Sequence, residues 1–81
     1  MKNKIITSAL LTAFISFSGN MAVIKTRPGY AGSTASDIDA HTLPELLGTI
    51  AGDDTVLLIW REEVSRERAV EALRIIIPNI Q

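Results

Sequence analysis

The chain has 81 residues, a net charge of −1 from eight Lys and Arg against nine Asp and Glu, and no cysteine. One small domain of this size buries too little surface to be robust alone, so we expect it to self-associate. The composition excludes disulfides and thiolate-bound metals, and the balanced charge argues against direct nucleic-acid binding by this chain.

The N-terminus combines two lysines with an apolar stretch from Ile5 to Phe17. This stretch is similar to a secretory signal, but it is too short to span a bilayer and no small-residue cleavage site follows it. Residues 13–18 alternate between two sides, which predicts a half-buried strand ending in a turn at Gly19 and Asn20. We therefore assign residues 1–10 to a remnant or irregular segment and residues 11–81 to the domain, with no membrane association.

Hydrophobic periodicity predicts five further elements, in the order strand, helix, strand, strand, helix. Their predicted bounds are residues 21–26, 28–40, 46–51, 55–61 and 65–77. The first helix has Thr26 as its cap and Pro28 in its first turn, whereas the second begins after Ser65 and is stopped by Pro78. The predicted fold is an α+β, ββαββα two-layer sandwich, in which two helices cover one face of a mainly antiparallel four-stranded sheet.

The last predicted strand is apolar on both faces. Val56, Leu58 and Trp60 point to one side, and Leu57 and Ile59 point to the other. Two helices cover only one face of such a sheet, so the second face is expected to be an exposed apolar patch. This pattern again favours a self-associating domain.

Two adjacent aspartates, Asp53 and Asp54, fall in the turn before this strand. A purely structural explanation is that Asp side chains bond nearby backbone amides in tight turns. The small residues at 48–52 alternatively leave space for a ligand, and a guanidinium is the best chemical match for paired carboxylates. A metal ion would need further oxygen ligands close to these aspartates in the sequence, and the sequence does not supply them. A paired-acid hydrolase would need both carboxylates to face one bond of the substrate, whereas neighbours on an extended chain tend to point to opposite sides. We therefore predict no metal site and no catalytic residue.

The segments GTIAGDDT at 48–55, KTRPGYA at 25–31 and DID at 37–39 together carry a family resemblance. From about residue 14 to 77, the chain resembles the C-terminal, arginine-binding and oligomerising domain of the bacterial arginine repressor. The resemblance implies trimers, two of which stack into a hexamer with L-arginine as the effector at their interface and no other cofactor. The ligand contacts that it implies fall on Asp53, Asp54, Asp39, Thr49, Ala51 and Gly32.

Two departures from the family accompany this resemblance. Some members carry a ligand-contacting glutamine in the first helix where this chain has Gly32. The family's N-terminal winged-helix domain is absent from the 81 residues, which leaves an excised domain or a truncated gene whose DNA contacts depend on the missing part. Tyr30, at the start of the predicted helix, either borders the pocket or packs against the fold.

The function implied is that of the effector domain of a cytoplasmic transcriptional repressor that controls arginine metabolism, in which arginine binding and assembly are coupled allosterically. Two alternatives come from other classes. One is a small self-associating structural or secreted protein without a ligand. The other is an enzyme with Asp53 as general base, although the sequence places no histidine, cysteine or lysine beside it.

Overall fold

The computed structural model describes residues 14–78 and residue 80, and this part of the chain forms four strands and two helices in the predicted order. The elements are β1 (Phe14–Ser18), β2 (Met21–Lys25), α1 (Ala31–Asp39), β3 (Leu46–Gly52), β4 (Thr55–Trp60) and α2 (Arg66–Leu73). The strands form one antiparallel sheet in the order β1-β2-β4-β3. The predicted α+β fold is confirmed. The predicted N-terminal segment and the signal-like stretch before Phe14 lie outside the described residues.

The hydrophobic core lies between one face of the sheet and the two helices. Its buried residues are Ala22, Ile24, Ala31, Ala35, Ile38, Val56, Leu58, Trp60, Ala69, Leu73 and Ile80. Full burial of each large aliphatic side chain in this cluster contributes about 1.5–3 kcal/mol to the folded state. Most of the stability of the short helices therefore comes from this packing rather than from intrinsic helix propensity.

Helix α1 begins at Ala31, three residues later than predicted, so the prediction of Thr26 as cap and Pro28 as first turn is wrong. The cause is Gly29, whose φ of 86° is left-handed and interrupts a right-handed helix. The hydroxyl of Thr26 donates instead to the carbonyl of Arg27. Consequently, the helix starts without a side-chain cap of its own.

Helix α2 begins as predicted, because the Ser65 hydroxyl accepts a hydrogen bond from the Arg68 amide at 3.1 Å. Its predicted end at Pro78 is wrong, since the helix stops at Leu73. A run of three β-branched isoleucines follows, and such residues lose side-chain freedom in a helix. The first of them, Ile75, is 72% exposed rather than packed.

The register between β3 and β4 shifts between Leu46 and Gly48. Beyond this bulge, Thr49 pairs with the buried Leu58, and directly paired residues share one face of a sheet. Thr49 therefore lies on the helix side. The following residue, Ile50, lies on the opposite side and is 64% exposed.

The face of the sheet away from the helices carries apolar side chains that no described element covers; we call it the open face. Its apolar residues, exposed or half-buried, are Met21, Val23, Ile50, Leu57 and Ile59. The predicted two-sided character of β4 is thus confirmed, with one set of side chains buried and the other left partly accessible. Within the described part of the chain, neither helix has the length and apolar character needed to cross a bilayer.

Candidate functional site

The turn between β3 and β4 consists of Asp53 and Asp54; we call it the acidic turn. Asp53 has a φ of 51°, the only positive φ at a non-glycine residue in the described part of the chain. Among non-glycine residues, Asp and Asn adopt this left-handed conformation most readily. The tight hairpin therefore selects an aspartate for backbone reasons as well as for its charge.

Asp53 also holds the start of α1 in place. Its backbone carbonyl accepts hydrogen bonds from the amides of Gly29 and Ala31, at 3.1 and 3.0 Å. Its side-chain Oδ1 accepts from the same Gly29 amide at 3.0 Å. Ala31 is the first residue of α1, so its amide has no intrahelical partner, and a negative charge near a helix start interacts favourably with the helix dipole. Asp53 thus acts as an external cap for a helix that has none of its own.

Asp54 has a different environment, which is formed by β2 and β4. Its Oδ1 accepts a hydrogen bond from the Thr55 hydroxyl at 2.8 Å, and its Oδ2 lies 3.6 Å from the Nζ of Lys25. The Thr55 hydrogen bond and, after it, the Lys25 charge lower the pKa of the Asp54 carboxyl. The backbone carbonyl of Asp54 accepts from the Thr26 amide at 2.7 Å, which ties the turn to the end of β2.

The two carboxylates are directed to opposite sides of the sheet. Lys25 pairs with Thr55 on the open face, so the partners of Asp54 lie there. Asp53 instead contacts the loop that leads into α1, on the helix side. Neighbouring residues of an extended chain are expected to diverge in this way. The turn is therefore unsuited to bringing both acids onto one bond of a substrate.

A second polar cluster lies at the other end of α1. The Thr49 hydroxyl on β3 donates to both carboxylate oxygens of Asp39, at 3.0 and 3.2 Å. Asp39 is the last of the nine residues of α1, whereas Asp53 contacts its first, and nine helical residues extend roughly 13 Å. One chain thus keeps these two carboxylates apart.

Ala51 and Gly32 complete the set of predicted site residues. Ala51 pairs with Val56, is exposed and lies on the helix side of β3 between the two polar clusters. Gly32 lies in the first turn of α1, next to the acidic turn. A Cβ added there meets no atom within 4 Å, so the surface beside the turn is open to a larger side chain or a ligand.

Sequence analysis missed Lys25 as a member of the site. It is 29 positions from Asp54 (54 − 25), and only the pairing of β2 with β4 brings the two together. The guanidinium of Arg27 lies over the ring of the half-exposed Tyr30, 5.2 Å from its centroid, at the start of α1. Among the described residues, no group of three His, Cys, Asp or Glu side chains is arranged to hold a metal ion.

A cavity of about 130 Å³ lies at the opposite end of β4 and is bordered by Asn20, Trp60 and Arg66. β4 runs from Thr55 beside the acidic turn to Trp60 beside this cavity. Among the residues that the structure describes, none with a carboxylate side chain lines this cavity. It is therefore separate from the residues that sequence analysis singled out.

The predicted site residues lie within the part of the chain that matches known proteins. The family model described as "Arginine repressor, C-terminal domain" matches residues 10–74. The arginine repressor of Phocaeicola vulgatus is 61% identical over 67 residues, which cover 83% of this chain and 42% of that protein. The arginine repressor of Bacteroides thetaiotaomicron is 57% identical over 67 residues, covering 83% and 43% respectively. That of Parabacteroides distasonis is 63% identical over 59 residues, covering 73% and 40%. The chain spans about two fifths of the length of these curated relatives.

Proposed function

This chain belongs to the arginine repressor family, and from that premise we propose that it is the L-arginine-sensing, hexamer-forming effector domain of a repressor that controls arginine metabolism. The observation that carries the proposal is the exposed Asp53 carboxylate, which accepts a hydrogen bond from the Gly29 amide in the loop that leads into α1. Family members are transcriptional regulators rather than enzymes. The residues described above accordingly bind a ligand instead of transforming one.

A guanidinium fits this surface for chemical reasons. Of the two carboxylate oxygens of Asp53, only Oδ1 accepts a hydrogen bond from the described residues. The other, Oδ2, is therefore available to the N–H groups of a guanidinium. The Arg27 guanidinium lies over the ring of Tyr30, 5.2 Å from its centroid, and such aromatic faces attract cations. The open surface at Gly32 leaves room for the rest of an amino acid.

The two polar clusters support a site that is shared between copies of the chain. Asp53 lies at the start of α1, and the Asp39–Thr49 pair lies at its end. A small amino acid that contacts both clusters therefore meets them most directly when they come from different subunits. We propose that this shared site lies where two trimers stack, with one subunit supplying the acidic turn and the other supplying Asp39.

The open face supplies the surface for self-association. Its apolar side chains include Met21 and Ile50, which are 44% and 64% exposed. Patches of this kind mark interaction surfaces, and an 81-residue chain has the most to gain from covering one. We propose that this face is covered in the trimer, and that arginine then joins two trimers into the hexamer.

The coupling follows from linkage. A ligand that contacts two subunits binds the assembled state better than separate trimers, so it shifts the population toward the hexamer. Reciprocally, assembly raises the affinity for the ligand, which makes the coupling allosteric. In the complete cytoplasmic repressor, this assembly would position DNA-binding parts that are not among these residues.

The proposal is tested by titration calorimetry with L-arginine on the wild-type chain and on Asp53→Asn. The Asn side chain keeps the acceptor and the tolerance of positive φ, so the variant removes charge without removing the cap. We expect affinity to fall at least tenfold. Asp37→Asn, at an exposed position of α1 outside the predicted set, is the matched control and should bind like wild type.

Sedimentation of the same samples tests assembly. We expect arginine to increase the hexamer fraction of the wild-type chain and to have little effect on Asp53→Asn. Ile50→Asp places a charge on the open face and should give monomers. Wild-type affinity in Asp53→Asn would remove the site assignment, and a wild-type chain that stays monomeric at all concentrations would remove the assembly proposal.

A further inference from the structure

The ammonium nitrogen of Lys25 lies 3.6 Å from a carboxylate oxygen of Asp54. We propose that Lys25 is an internal competitor, whose ammonium group occupies Asp54 and thereby limits the affinity of the site for a cationic amino acid. This inference rests on the proposed function and names a residue that tunes it. It also implies that the two aspartates of the acidic turn contribute unequally.

The position of Lys25 is set by the sheet rather than by chance contact on the surface. In the β2–β4 register Lys25 is opposite Thr55, and its Nζ donates to the Thr55 hydroxyl at 2.9 Å. The same hydroxyl donates its hydrogen to Asp54 at 2.8 Å. Thr55 therefore links the ammonium to the carboxylate, in addition to their direct 3.6 Å approach.

The two aspartates differ as a result. Asp54 has a cation of its own chain beside it, and among the described residues Asp53 forms no such ion pair. A guanidinium can thus bind the Asp53 carboxylate directly. At Asp54 it must either displace the Lys25 ammonium or share the carboxylate with it. The Lys25 and Asp54 side chains are 64% and 41% exposed, so water can take the place of the ammonium beside the carboxylate. Breaking this exposed ion pair therefore has a modest free-energy cost.

The experiment is a double-mutant cycle measured by calorimetry with L-arginine at fixed pH and salt. Lys25→Met removes the charge while keeping an unbranched apolar stem, and we expect it to raise affinity about two- to fivefold, the range of an exposed ion pair. Lys25→Arg keeps a cation and should not raise affinity. In an Asp54→Asn background, Lys25→Met should have no effect. Arg74→Met, at the end of α2, removes a remote cation and should bind like wild type.

The outcomes separate this inference from the proposed function. If the wild-type chain binds no arginine, the proposed function fails and the inference fails with it. If wild type binds and Lys25→Met binds equally or more weakly, only the role of Lys25 is refuted. An equal gain in the Asp54→Asn background, or with Arg74→Met, would show a long-range charge effect and would likewise refute competition at Asp54.

Discussion

The structure makes a quantitative prediction about Asp53, because one residue both adopts a left-handed backbone and caps α1 from outside. Its backbone carbonyl bonds to the Gly29 and Ala31 amides are available to any residue at position 53. By contrast, the side-chain hydrogen bond to the Gly29 amide and the tolerance of a φ of 51° depend on which residue occupies position 53. Replacement by Asn, Gly and Ala separates these contributions.

The expected magnitudes follow from what each variant retains. Asp53→Asn keeps the side-chain acceptor and the tolerance of a left-handed backbone, so we expect the free energy of unfolding to change by no more than about 0.5 kcal/mol. Asp53→Gly loses a hydrogen bond of about 0.5–1.5 kcal/mol but removes the strain of the left-handed backbone, which leaves a small net change. Asp53→Ala loses the bond and keeps the strain, which is roughly 1–2 kcal/mol for an L-residue. Ala should therefore be less stable than Gly by about 1–2 kcal/mol.

The assay is urea unfolding followed by the fluorescence of Trp60, the only tryptophan, which is 1% exposed in the core. All variants must be compared at one chain concentration, because assembly adds to the apparent stability. If Asp53→Ala proved as stable as Asp53→Gly, the backbone at position 53 would not be strained. If Asp53→Asn lost as much stability as Asp53→Ala, the charge that both variants remove would matter more than the geometry that Asn retains.

Two further predictions follow from the described residues. Gly32→Ala should stabilise the chain by about 0.5–1 kcal/mol in the same urea assay, because the added methyl meets no atom within 4 Å and Ala favours a helix; a loss would contradict the open surface. Acid should destabilise the fold, since the folded-state pKa is lowered for Asp54 by Thr55 and Lys25, and for Glu45 by its own amide and Arg68. The stability that these two carboxylates contribute is present above their unfolded-state pKa values, near pH 4, and is lost as the pH falls through their lower folded-state pKa values. In this acidic range, the thermal unfolding midpoint of an Asp54→Asn/Glu45→Gln variant should therefore depend less on pH than that of the wild-type chain.

The element order and the faces of β4 were predictable because they depend on local periodicity. Alternation in β4 correctly separated the buried Leu58 from the half-buried Leu57, and the Ser65 cap correctly located the start of α2. The start of α1 was not predictable from its periodicity, because a single left-handed Gly29 overrides the preference of Pro28 for a first turn. Such a conformation depends on tertiary hydrogen bonds to the acidic turn.

The candidate site was predictable in its residue types and not in its contacts. The adjacent acids and the small residues around them identified the acidic turn. Pairing between β2 and β4, which brings Lys25 to Asp54, is a long-range event that local pattern does not encode. The bulge in β3 likewise places Thr49 on the helix side, where it bonds Asp39; an unbroken register would have directed it to the open face.

The β3–β4 hairpin connects the two surfaces on which the proposed function depends. Its end carries Asp53 and Asp54, and its strands contribute Ile50 and Leu57 to the open face. The Asp54 carbonyl also accepts from the Thr26 amide, so β2 is fixed to the same hairpin. A ligand that joins the acidic turn of one subunit to Asp39 of a facing subunit would therefore act on the strands that would form the trimer surface. Binding and assembly can then be coupled without a large conformational change, because the difference lies in which copies of this hairpin are brought together.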